Sequence, residues 1–229
     1  MKKLFNTTLI AVMLCASFSH ALAAGMKPEA SVLFLDDENR EATINVENTD
    51  SHSALLHSSL QTIPEDGHNK LIITPQLARV DAGKKQQVRV VLKEGVKVAR
   101  QTMQRINFIS IPPEDGKKNR ARVLVGQNIP VIISPSSLPL NTTPWKGIKA
   151  QCAGSTLNVS NPTDYIVRLT TQVDLLPGKE SLTLPKTYIL PQETLNLTLP
   201  KASVCSAKSI RLHPVTRFGI LTTPFEVAL

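Results

Sequence analysis

Apolar and polar residues alternate with a period of two along most of this chain. Glu41–Glu47 places Ala42, Ile44 and Val46 on one side, Gln86–Leu92 does the same with Val88 and Val90, and Arg105–Ile111 sets Ile106, Phe108 and Ser110 against Asn107, Ile109 and Ile111. That is the pattern of strands with a buried face. Ala54–Thr62 and Leu71–Thr74 read as further strands, separated by turn chemistry at Asn48-Thr49-Asp50-Ser51 and Pro64-Glu65-Asp66-Gly67. Arg40 is expected in an exposed turn, and Val96–Arg105 predicts a helical turn or two. The stretch Pro135–Trp145 (PSSLPLNTTPW) carries three prolines and interrupts the alternation. A second strand series follows: Thr156–Val159, Tyr165–Val173, Ser181–Leu184, Thr194–Leu199, Ser209–His213 and Phe225–Ala228. Short strands with few helical periods predict an all-β chain of two sandwiches in tandem, 24–137 and 138–229.

One alternating run is unusually long. In Ala121–Ile133 (ARVLVGQNIPVII), Ala121, Val123, Val125, Gln127, Ile129 and Val131 share one face. Arg122, Leu124, Gly126, Asn128 and Ile132 share the other, with Pro130 between them. Proline cannot donate to a ladder, so Pro130 is expected at an edge or a bulge. A long edge strand with aliphatic residues on both faces invites pairing with another chain. Two readings stand: a strand lent to a partner by β-augmentation, and a plain core strand of the first sandwich.

The N-terminus changes the setting. Met1–Ala24 has a basic start at Lys2 and Lys3, an apolar run over Leu9–Ala16, and Ala21 and Ala23 placed as in a signal-peptidase site. The run is too short to span a bilayer of about 30 Å. Residues 1–23 therefore read as a signal peptide, leaving 206 residues of a soluble exported protein. Its removal lowers the formal charge from +8 to +6. That charge is spread along the chain and aromatics make up only 4% of it, which argues against a nucleic-acid surface. Cys152 and Cys205 remain, and in an oxidising compartment an even pair is most simply a disulfide; two buried thiols are the alternative. No hydrolase, metalloprotease or phosphate-loop motif is present. His52, His57, His68 and His213 match no zinc spacing, so neither metal nor cofactor is expected.

Four stretches resemble the periplasmic pilus-assembly chaperones of the chaperone–usher pathway, the PapD-like family. They are Thr74-Pro75 followed by Ala78–Gly83 and Val88-Arg89; Asn107 with Ile111-Pro112-Pro113; Asn128–Pro135; and Asn161-Pro162-Thr163 with Tyr165 and Val167. The resemblance implies two immunoglobulin-like sandwiches set in an L. It implies no enzymatic activity, location in the periplasm, and as partners the fimbrial subunits and an outer-membrane usher. Ala121, Val123, Val125 and Gln127 fall on the strand that the family lends to a subunit. The family's basic grip on the subunit's terminal carboxylate falls on Ser31 and Pro130, and its inter-domain Glu–Arg–Asp cluster on Gln101, Ser134 and Arg217. Arg105, Arg122 and Arg89 are the basic residues best placed in sequence to substitute, with a solvent-facing charge as the alternative for each. A chaperone-like adhesive or structural protein without subunit delivery and a secreted sugar-active enzyme are the competing expectations.

Overall fold

The computed structural model describes residues 25–113, 124, 126–178, 180–199 and 207–229. The expected signal segment lies outside them, as do Ala121, Arg122, Val123, Val125 and Cys205. In the first half, one sheet runs β1 (Met26–Pro28), β3 (Glu41–Asn48), β7 (Lys85–Leu92), β5 (Leu71–Thr74). The facing sheet runs β2 (Leu33–Asp36), β9 (Gly126–Ser134), β8 (Thr102–Ile111), β4 (Ala54–Gln61), β6 (Leu77–Val80). The alternation in sequence becomes a core between them: Ile44, Val46, Val88 and Val90 from one sheet meet Leu56, Ile106, Phe108, Val131 and Ile133 from the other. Each such side chain contributes about 1.5–3 kcal/mol on full burial.

The second half is also a sandwich. Its sheets are β10 (Lys149–Ala153), β11 (Thr156–Asn161), β15 (Glu193–Thr198), and β13 (Ser181–Thr183), β12 (Val167–Leu176), β16 (Ser209–Pro214), β17 (Phe225–Ala228), with β14 (Tyr188–Ile189) also paired to β12. Leu157, Val159, Val167, Leu169, Ile210 and Leu212 lie in its separate core. Asn161 explains why Asn-Pro-Thr suits this corner. It is fully buried, with Nδ2 near the carbonyls of Tyr165, Ile189 and Leu190 and Oδ1 accepting from Thr163 N and Oγ1. Cys152 is disulfide-bonded; its expected partner Cys205 is outside the described residues.

Two expectations are corrected. Val96–Arg105 forms no helix: strand β8 begins at Thr102, and Val96 and Val98 both pack on the first core, a spacing of two that suits extended chain. Arg40 is not an exposed bystander. It sits at φ 58°, and its guanidinium donates to the carbonyls of Asp37, Leu92, Lys93 and Val96. Pro130 is at an edge, as expected of a residue that cannot donate to a ladder: it pairs with Arg105 on one side and lies just before β2 begins to cover the other, with its ring buried.

Candidate functional site

The geometry of β9 is set by the strand beside it. The chain enters along β1, which pairs with β3 of one sheet. Glu29 fixes the departure by accepting from Asn45 N at 2.9 Å and Asn45 Nδ2 at 3.0 Å. The chain then crosses to the other sheet, where β2 runs parallel to β9 from Leu33↔Val131 to Asp36↔Ser134. On its other side β9 pairs with β8 from Gly126 to Ile133. Val131–Ile133 is therefore enclosed on both edges, whereas among the described residues Gly126–Pro130 is paired on one edge only. Pro130, with no N–H to offer, is the last residue before enclosure begins. Upstream, Leu124, Gln127 and Asn128 are exposed.

The open segment carries a polar network. Asn128 Nδ2 donates to Gln61 Oε1 at 3.0 Å and to Asn107 Oδ1, and Asn107 Nδ2 reaches the same Gln61 oxygen at 3.3 Å. Arg105 completes it through Nε to Asn128 Oδ1 and Nη2 to the Asn128 carbonyl at 3.0 Å. The guanidinium is thus held against the base of the open strand, half-buried beside the second sandwich. Burial lowers the Arg105 pKa. Burial also lowers that of Arg168, and the Arg105 charge adds to the effect; both stay charged near neutrality. Among the described residues neither forms an ion pair. Arg89, by contrast, pairs with Glu41 on the opposite sheet.

The two sandwiches meet next to this network. Val32, Ile63, Met103 and Ile132 of the first pack with Ile166, Tyr188 and Leu190 of the second. Lys186 bridges Glu65 and Glu193, and Tyr188 Oη donates to Glu65 at 3.0 Å. Burial raises the Glu65 pKa, but the hydrogen bonds from Lys186, backbone and Tyr188 outweigh it and leave a net lowering. Burial first, then the bond to Glu65 and its charge, push the Tyr188 phenol up to about 12. Gln101 ties the hinge: its N donates to Asp164 O at 3.0 Å, its Oε1 accepts from Ile166 N at 2.8 Å, and its Nε2 donates to Ser134 Oγ at 3.0 Å. Neutral groups thus occupy two of the three positions where the resemblance leads one to expect ions. Ser31 donates to Phe218 O at 2.8 Å.

Of the residues singled out in sequence, Arg105 and Gln127 fall within the described site, and Ala121, Arg122, Val123 and Val125 precede it along the same chain segment. Sequence reasoning missed Gln61, Asn107 and Asn128 as a unit, and Arg168. The available signal was that Asn107 and Asn128 both fall in stretches that carry the family resemblance.

A split strand, half core and half open, on the first of two sandwiches defines the class: an immunoglobulin-like chaperone fold. Family models match over most of the chain. The pili and flagellar-assembly chaperone PapD N-terminal domain covers residues 25–139 and the pili assembly chaperone PapD C-terminal domain residues 143–225. The chain is 37% identical over 201 residues to the fimbrial chaperone YhcA of Escherichia coli K12, covering 87% of this chain and 88% of the relative. It is 25% identical to the chaperone protein MrkB of Klebsiella pneumoniae, covering 92% and 94%. Similar folds are the SafB chaperone solved with SafA pilin of Salmonella enterica (TM-score 0.75, 22% identity, covering 91% of this chain and 98% of that one) and the E. coli chaperone DraB (TM-score 0.73, 20% identity, covering 90% and 99%). The chain belongs to the PapD-like pilus-assembly chaperone family.

Proposed function

We propose that this protein captures fimbrial subunits in the periplasm by lending them the strand that leads into β9, and passes them to an outer-membrane usher. Residues 1–23 would direct export, 24–137 would carry the donor strand, and 138–229 would supply the second sandwich that packs beside it. The observation that carries the reading is the one-sided pairing of Gly126–Pro130, continuous with the alternating Ala121, Val123, Val125 and Gln127. A subunit strand added on the open edge would gain main-chain hydrogen bonds, and the valines would enter its apolar groove. Arg105, pinned by Asn128 and without a counter-ion among the described residues, is the proposed contact for the subunit's terminal carboxylate, with Arg122 second. Membership of a periplasmic chaperone family supports the location, and among the described residues no helix is long and apolar enough to cross a membrane.

Val123→Asp and Val125→Asp test this. Each would place a charge without a partner in an apolar groove, at a cost of several kcal/mol. Both variants should keep the wild-type circular dichroism spectrum and fail to retain a co-expressed fimbrial subunit on affinity resin. Full subunit recovery with both would refute strand donation and favour a chaperone-like adhesive protein.

A further inference from the structure

Between the sandwiches lies a cavity of about 300 Å³. That is roughly twice the ~150 Å³ that holds a benzene ring elsewhere, giving room for about a dozen non-hydrogen atoms. Phe34, Ile132 and Trp145 supply apolar wall, and Ser134, Arg168 and Arg217 supply polar groups. Arg217 is the unusual member. Its Nε is buried without a hydrogen-bond partner, while its guanidinium stacks 4.3 Å from the centre of the Phe34 ring and 5.5 Å from that of Phe218. Arg168 donates from Nη1 to Thr216 O at 3.4 Å. Neither arginine meets a described carboxylate within ion-pair distance. Two acids also border the cavity. Asp36 is committed to its own turn through Glu38 N, Asn39 N and Asn39 Nδ2, and Glu38 is exposed. Ser134 Oγ accepts from Gln101, which leaves its hydroxyl proton free to donate.

We propose that this cavity binds a small amphipathic monocarboxylate, with the carboxylate on Arg217, Arg168 and Ser134 and the apolar tail against Phe34, Ile132 and Trp145. A buried donor without an acceptor is costly, and an anion arriving there makes charge-assisted hydrogen bonds. A single charge with an apolar body fits these walls; a dianion would lose more hydration than two partly committed arginines return. The proposal does not rest on subunit capture, and its test uses the purified chain alone.

Trp145 is the only tryptophan in the chain and lines the cavity, so its fluorescence reports occupancy directly. Titration with 4-phenylbutyrate, which has about the size the cavity admits, should give a saturable change. The neutral 4-phenylbutyramide should give none. Arg217→Met and Ser134→Ala should each weaken acid binding by about tenfold or more, with the serine variant deciding if the arginine variant fails to fold. Absence of saturation, equal binding of the amide, or wild-type affinity in the folded variants would overturn the proposal.

Discussion

The last strand of each sandwich ends its sheet in a different way. In the second half, β17 pairs with β16 at all four of its positions, from Leu212↔Phe225 through Ser209↔Ala228. It is a plain edge strand whose Val227 is buried in the core. In the first half, β9 lies inside its sheet, but β2 covers only four of its residues. Enclosure stops at Val131, and the strand runs on with an edge uncovered. The second sandwich ends on a strand that is an edge along its whole length and carries a disulfide at Cys152; in the first, a single strand is edge in one part and interior in the next. The cause is local: β1 is spent on the opposite sheet, so too little chain is left to cover all of β9.

Four measurements can break or sharpen that contrast. The largest effect is expected in the enclosed half of β9. Ile133, which is fully buried, should cost about 2–5 kcal/mol on replacement by alanine, read from urea unfolding, while Gln127→Ala in the open half should stay within about 0.5 kcal/mol. Equal losses would mean that the two halves are not distinct. Next, Cys152→Ser should destabilise the second sandwich by about 2–4 kcal/mol, seen as earlier loss of hydrogen-exchange protection in β11 and β12 with β3 and β7 unchanged. Loss in both sandwiches would show that they unfold as one. Third, Arg105→Ala should weaken subunit retention about tenfold, whereas Arg79→Ala, whose side chain is 73% exposed, should leave it unchanged. Arg40 cannot serve as that control because it holds four carbonyls.

The smallest effect concerns pH. Asp174 accepts from Gln172, Ser181 and His213. The Gln172 bond chiefly, then those from Ser181 and His213, lower its pKa from 3.8 to about 2 against an opposing burial effect. The native carboxylate is harder to protonate than the unfolded one, so its contribution is fully present above about pH 4 and is lost as pH falls toward 2. Asp174→Asn should flatten the acid limb of thermal stability for the second sandwich alone. An unchanged limb would remove this group from the acid response.

Long alternating strands were legible in sequence: β3, β7, β8 and β12 all lie where the period of two places them. The short ones were not. Leu33–Asp36 and Lys149–Ala153 show only two or three side chains per face, too few to establish a period, and β14 has two residues. The misread helix at Val96–Arg105 has the same origin, since a few apolar residues fit either period until packing selects one. The site was legible where it depends on chain order, as in the run from Ala121 to Gln127. It was not legible where residues meet across strands. Gln61, Asn107 and Asn128 come from three strands, and only the register of β4, β8 and β9 brings them together.

The parallel ladder between β2 and β9 also bears on how the molecule assembles. Leu33 must wait for Val131, about a hundred residues later in the chain, and contacts so distant in sequence slow folding because the intervening loop must close first. Every other strand of the first sandwich precedes β9, so the closing step brings the latest-made strand of that sandwich to one of its two earliest. Until then β2 and the β8 edge expose aliphatic, unpaired backbone of the kind that aggregates. A chaperone proposed to lend a strand to its partners thus has a late-arriving strand of its own to place before it reaches its native state.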